Sequence, residues 1–265
     1  MNLGGEVKLT DVGPGPTLYR GWILKPADYE RLAAAVAARG GELVTPPEQY
    51  RYACTLPDWY GDLMGFTPKS VWFPKENVNE ELFSVLPTLL FNKFGGKGGL
   101  IVKDYLKSQK HYWNDACYIP DVRDGENVLR VVRRFLELQA DSFFGGLVFR
   151  RYEPLKRIGA HLKSHMPLGN EWRFFFRDRR FFYAAPYWSS ESGADYQGTA
   201  EPYMADVGAL GLGVKSNFFA LDLALTEEGN WIMIEVNDGG SAGVPEGGRV
   251  SDFYEALRDA RGARC

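Results

Sequence analysis

Only three cysteines and three histidines occur in the 265 residues, basic charge is not in excess, and no apolar run is long. Cys54, Cys117 and Cys265 are odd in number, widely spaced and without a CxxC pair. That argues against a disulfide framework or a zinc ribbon and fits a reducing cytoplasm. His161 and His165 lie four residues apart, but no HExxH-type context surrounds them, so metal ligation is not expected there. A net charge of −3 removes the basic excess that a nucleic-acid binder usually carries. No stretch approaches the roughly 18 apolar residues of a membrane helix. The opening MNLGGEVKLTDVG lacks the apolar core of a signal peptide. The expectation is a cytoplasmic chain with neither nucleic acid nor membrane as partner.

What is present is a chain long enough for one or two domains, 14% of it aromatic. Leu18–Leu24 reads as a strand, and Pro26 opens a helix with Tyr29, Leu32, Ala33, Val36 and Ala37 at helical spacing. Gly40 and Gly41 stop that helix before a second strand at Glu42–Thr45. Residues 46–80, rich in Pro, Tyr and Trp, read as a connection with weak periodicity. Asn79–Leu90 and 127–140 read as helices, and Leu100–Val102 and Leu147–Tyr152 as buried strands. Trp172–Phe176 pairs with Phe181–Tyr187 in one hairpin, and Phe218–Leu225 with Trp231–Val236 in a second. Ser251 is the expected cap of a closing helix over Ser251–Arg258. Gly95-Gly96-Lys97-Gly98-Gly99 lacks the GxxxxGK[ST] spacing and reads as a connector. The fold class is α+β, with a small α/β module in front.

The second hairpin carries the chemistry. Phe219, Leu221, Leu223 and Leu225 share one face, and Ile232, Ile234 and Val236 share one face of the partner strand. Pairing the apolar faces brings Asp222, Glu235 and Asn237 together on the other side. Carboxylates opposite each other on neighbouring strands repel, and a divalent cation between them removes the penalty. A solvated outer face explains the same residues without a ligand. The run Asn237-Asp238-Gly239-Gly240-Ser241-Ala242-Gly243 that follows favours the metal, because a Gly-rich loop exposes backbone N–H groups to an anion.

A strand with Asp, a Gly-containing turn and a strand ending Glu-x-Asn resembles the metal-binding end of ATP-grasp enzymes. Leu100-Ile101-Val102-Lys103 resembles the strand whose lysine reaches the nucleotide. Gly146–Leu155 resembles the strand and hinge that hold adenine, and Glu171-Trp172-Arg173 the strand that brings an acid and an arginine to the phosphates. The segments Lys103–Ser108 with Trp113, and Glu235-Val236-Asn237-Asp238-Gly239, are most similar to the arginine-to-lysine clade of that superfamily. Two departures stand out. Ala220 and Leu221 precede Asp222 where an arginine is common, and Lys107–Trp113 replaces the Gly-rich loop over the phosphates.

The resemblance implies an ATP-grasp fold, two α+β subdomains gripping ATP, preceded by a small α/β domain. The expected division is 1–80 for the pre-domain and 81–265 for the ATP-grasp domain, itself split into 81–158 and 159–265. It implies ATP and Mg2+ as cofactors, with Mn2+ an allowed substitute, and Asp222, Glu235 and Asn237 as metal ligands. Lys103, Lys107, Arg151, Tyr152, Glu153, Glu171 and Arg173 are the expected nucleotide contacts, with Lys103, Arg173 and Lys107 as the catalytic cations. Lys107 is the best single candidate of the Lys107–Lys110–His111 loop. The implied activity is a carboxylate–amine, or carboxylate–thiol, ligase working through an acyl phosphate and releasing ADP and phosphate. A small-molecule kinase of the same fold and a non-catalytic nucleotide-binding domain are the alternatives. The partners would be small-molecule or peptide carboxylates and amines, and the chain a monomer or homodimer. Residues 46–75, residues 159–170 and the loop after Asn237 are the expected walls of the acceptor pocket.

Overall fold

The computed structural model describes residues 12–260. The opening stretch up to residue 11 and Cys265 lie outside the described residues. Strand β1 (Gly15–Thr17) pairs in parallel with β2 (Gly41–Leu43) across helix α1 (Pro26–Ala37), the expected β-α-β unit. Its first strand is shorter and earlier than the Leu18–Leu24 pattern indicated. Gly40, at φ +80°, makes the turn out of α1.

Two helices then occupy the region read as irregular: α2 (Pro47–Cys54) and α3 (Leu56–Leu63). Each has a proline in its first turn, where the missing N–H costs nothing. Ala53, Leu56, Trp59, Tyr60 and Leu63 are buried against the C-terminal sheet. The aromatic cluster of this region is therefore largely core, and the expected pocket wall over 46–75 is not formed by it.

Strand β3 (Ser70–Pro74), helix α4 (Glu80–Phe94), β4 (Leu100–Asp104), β5 (Tyr118–Ile119), α5 (Gly125–Gln139) and β6 (Gly146–Arg151) form the middle of the chain. The sheet order is β3-β6-β4-β5, all antiparallel. β3 thus joins this sheet although it precedes the expected boundary at residue 80. Asn79 caps α4 by accepting from the Leu82 N–H, and Asp124 caps α5 by accepting from the Asn127 N–H. Val128, Val131, Val132 and Phe135 of α5 meet Leu86, Leu90 and Phe94 of α4 and Leu100, Val102, Leu147 and Phe149 of the sheet in one core.

The C-terminal part begins with a small hairpin, β7 (Arg157–Ala160) and β8 (Pro167–Gly169), invisible in the sequence pattern. Strands β9 (Glu171–Arg177) and β10 (Arg180–Pro186), helix α6 (Met204–Leu212), strands β11 (Phe218–Leu225) and β12 (Trp231–Asp238), and helix α7 (Val250–Asp259) follow. The sheet order is β10-β9-β11-β12, antiparallel throughout. Asp178 and Arg179 both take positive φ in the β9–β10 turn, as a two-residue hairpin needs. Arg249, not Ser251, occupies the N-cap of α7, and the Ser251 hydroxyl donates to Asp252 instead. No helix among the described residues is long and apolar enough to cross a membrane.

Candidate active site

Alternation along β9 sorts its residues. Phe174 and Phe176 point into the core with Phe219 and Leu221, whereas Phe175 packs on the other face with Phe218, Ala220 and Phe253 of α7. On that second face, before α7 covers it, stand Glu171 and Arg173. The ladder register puts Arg173 opposite Asp222, and Asp222 opposite Glu235, so one row crosses three strands. Asn237 is two residues beyond Glu235, and its amide donates to Asp222 Oδ2 at 3.3 Å. The three expected metal ligands are together.

The pairing of β11 and β12 carries a bulge. Asp222 faces Glu235 while Leu223 faces Met233, leaving Ile234 as the extra residue. Met233 and Val236 therefore enter the core, in place of the regular Ile232–Ile234–Val236 face. Ile234 and Glu235, though consecutive, both line the cleft.

Both carboxylates are held by cations. Arg173 grips Asp222 at two points, Nε–Oδ1 and Nη2–Oδ2, each 2.7 Å, and its Nη1 donates to the Gly243 carbonyl. Lys103, buried at the end of β4, reaches from the other sheet to Glu235 Oε1 at 2.7 Å. Burial alone would raise the Glu235 carboxyl, but Lys103 and Lys110 outweigh it and hold it below the usual range.

The loop after Lys103 separates two lysines that the sequence left together. Asp104 is buried, and its Oδ1 accepts the N–H groups of Leu106 and Lys107, which folds the chain back so that Ser108 lies beside Lys103. Lys107 sits exposed on this turn and lines neither cavity described below. Lys110 instead enters the cleft, its Nζ 5.7 Å from the Tyr187 ring centroid, while Arg173 approaches the same ring at 4.8 Å. Burial works against the Lys110 charge, yet Tyr187, Glu171, Glu235 and Asp222 raise its pKa above the ordinary lysine value. No periodicity marks this loop, so only its basic composition could have pointed to Lys110.

Two adjoining cavities share Lys110, Met166 and Trp188. The first lies between the sheets, lined by Ile101, Lys103, Tyr152, Glu153, Glu171 and Glu235 among others. Tyr152, Tyr118 and Trp113 form an aromatic cluster at its edge, with Trp113 and Tyr118 stacked at 5.2 Å. Burial raises the Glu153 carboxyl above its usual range. Arg151 borders the same cavity, but its guanidinium is tied to the Phe94 and Lys97 carbonyls at the end of α4. Arg150, not singled out from the sequence, is buried against Thr67 and also lines it. Glu171 is buried, its Oε1 has no hydrogen-bond partner among the described residues, and burial pushes its carboxyl up to about 7. The second cavity, about 360 Å³, is walled by His161, Ser164 and Met166 and by Gly243–Glu246. Those are two of the three segments expected to form the acceptor pocket.

A family model for the ATP-grasp domain of the arginine-to-lysine clade, family 3, matches residues 93–257. The chain belongs to this family. The matched stretch takes in Lys103, the Tyr152–Glu153 hinge and the whole Arg173–Asp222–Glu235 row. The fold is that of ATP-grasp proteins. The chain is similar to the D-cycloserine synthetase DcsG, at 15% identity and a TM-score of 0.54 over 88% of this chain and 78% of that one. It is also similar to the ATP-grasp ligase PsnB, solved with its minimal precursor, Mg and ADP. There the identity is 15% and the TM-score 0.51, over 90% of this chain and 70% of that one. No curated protein matches it in sequence. For this ATP-grasp domain the donor set suits Mg2+, because Asp222, Glu235 and Asn237 offer oxygen ligands alone. Among the described residues no group of three His, Cys, Asp or Glu side chains forms a cation site. The Asn237 amide and the nucleotide phosphates would have to complete the shell.

Proposed function

We propose that this ATP-grasp protein is an ATP- and Mg2+-dependent ligase that activates a carboxylate as its acyl phosphate and transfers the acyl group to an amine. One observation carries the reading: Lys110 stands at the junction of two cavities, beside the Arg173–Asp222–Glu235 row and Lys103. A phosphoryl group crossing from one cavity to the other would pass these cations, which is where developing charge needs them. The solved likenesses that are ligases, DcsG and PsnB, support the same class.

The first cavity would hold the nucleotide, with its base between the Tyr152–Glu153 hinge and Ile234. Asp222, Glu235 and Asn237 would hold Mg2+, or Mn2+ in its place, which supplies charge neutralisation across the phosphates. Lys103 and Arg173 would share these carboxylates with the metal and extend their remaining N–H donors to phosphate oxygens. A substrate carboxylate oxygen then bonds to the γ-phosphorus as the bond to the β,γ-bridging oxygen breaks, its electron pair leaving with ADP. An amine attacks the acyl carbon, phosphate departs, and the amine proton passes to water. Glu171, buried with a free oxygen and a carboxyl that titrates near neutrality, fits a contact that forms only when ligand is bound.

Hydroxylamine trapping tests this. Incubation with ATP, Mg2+ and a panel of carboxylic acids should yield a hydroxamate and ADP in equal amounts. A stable phosphorylated product from a hydroxyl compound, with no hydroxamate, would make the protein a kinase instead.

A further inference from the structure

The second cavity carries opposite charges on different walls. Lys110 and Arg173 line it where it meets the first cavity and the acidic row. Arg173 spends three of its five N–H donors on Asp222 and the Gly243 carbonyl, so two remain for a ligand. Glu246 enters the same cavity from the loop after β12. Its backbone N–H is anchored to the Tyr187 carbonyl at 3.2 Å. Among the described residues its side chain has no cationic partner: Oε2 accepts from the Ser189 N–H and hydroxyl and from the Ser192 hydroxyl. Three neutral donors on one oxygen orient this exposed carboxylate, and Oε1 has no hydrogen-bond partner among the described residues.

His161 adds a directional group. Its Nδ1 accepts the N–H groups of Lys163 and Ser164, so the neutral ring carries its proton on Nε2 and offers a donor. At about 360 Å³ the cavity falls within the roughly 300–1,000 Å³ of small-molecule sites.

We propose that this cavity binds a small zwitterion, a free amino acid or close analogue, with its carboxylate toward Lys110 and Arg173 and its ammonium on Glu246. A plain carboxylic acid would use only the two cations and a plain amine only Glu246, whereas a zwitterion engages both ends of the cavity. The orientation sets the carboxylate on the side from which the phosphoryl group arrives. This inference rests on the ligase reading above.

The test has two stages. Calorimetry with Mg-AMPPNP first establishes that the nucleotide binds. ADP release and hydroxamate formation are then measured, with ATP and hydroxylamine, for free amino acids of both configurations, their N-acetyl derivatives and the corresponding decarboxylated amines. At least one free amino acid should raise ADP release ten-fold or more, and its N-acetyl derivative should not. Glu246→Gln should raise its KM ten-fold or more while kcat changes less than three-fold. Equal activity with N-acetyl compounds, an unchanged KM in Glu246→Gln, or no response to any free amino acid while Mg-AMPPNP binds would overturn the zwitterion and leave the ligase reading standing. Absence of Mg-AMPPNP binding would remove the ligase reading, and this inference with it.

Discussion

Arg173 and Asp222 are cross-strand partners on β9 and β11, and their side chains close a two-point ion pair with both contacts at 2.7 Å. Both side chains are almost wholly buried. The pair is costly to assemble and more costly to halve, because removing one partner strands a charge. Asp222→Leu alone should therefore lower stability by about 3–5 kcal/mol, read as the free energy of urea unfolding. Arg173→Met combined with Asp222→Leu should recover most of that loss. Simple addition of the two single losses would show that the side chains are not coupled.

Glu235 is more open than Asp222, and Asn237 is half-buried. Asn237→Ala should leave the unfolding transition near that of the wild type. Glu235→Gln should lower it, because the buried Lys103 loses its partner. Both should weaken Mg-ATP binding ten-fold or more by calorimetry. Unchanged affinity in both would place the metal elsewhere.

Lys110 and Lys107 make a paired comparison within one short loop. Removing a group that stabilises transferring charge typically costs 10²–10³ in rate. Lys110→Ala should slow hydroxamate formation by about 100-fold or more. Lys107→Ala, on the exposed turn, should stay within three-fold. A larger effect at Lys107 would restore it as the catalytic lysine.

Lys103 is buried against Glu235, whereas Lys97 sits in the Gly95–Gly99 connector. Lys103→Ala should cut nucleotide affinity well beyond Lys97→Ala in the same titration. Equal losses would mean that β4 does not deliver the nucleotide lysine.

Asp238, at the end of β12, is buried beside Thr45 of the N-terminal unit, with the Ser241 N–H on Oδ2 and, among the described residues, no partner within hydrogen-bond range of Oδ1. Burial pushes its carboxyl up to about 6 from an ordinary 3.8. The folded state holds this proton more tightly than the unfolded chain, so its contribution to stability is complete below about pH 4 and lost as pH rises through 6. Over that window the loss is at most about 3 kcal/mol. Asp238→Asn should flatten the decline. An identical pH profile in the variant would assign it to another group, Glu171 being the next buried acid with a raised pKa.

The acidic hairpin was legible because strict alternation leaves little freedom: with Leu221 and Leu223 inward, Asp222 must face out. Arg173 was legible for the same reason, lying between Trp172 and Phe174 on an alternating strand. Lys110 was not, because its placement depends on Asp104 folding the loop through two backbone N–H groups, a contact that no residue spacing announces. α2 and α3 escaped notice because each spans eight residues and starts at proline or one residue before it, too short for a helical period to stand out. The burial of Trp59 and Tyr60 away from the cavities was hidden by the same gap. A chain segment with buried Trp59 and Tyr60 looks, in sequence, much like one with an aromatic pocket.

The extra residue in β12 makes hydrophobic and ionic recognition neighbours on a single strand. Met233 and Val236 stay in phase with the core on either side of it, so the strand without Ile234 would keep Glu235 and Asn237 on the cleft side and lose only the apolar surface. If the cleft holds the nucleotide as proposed, its apolar contact through Ile234 and its ionic contacts through Glu235 and Asn237 are separable by one codon.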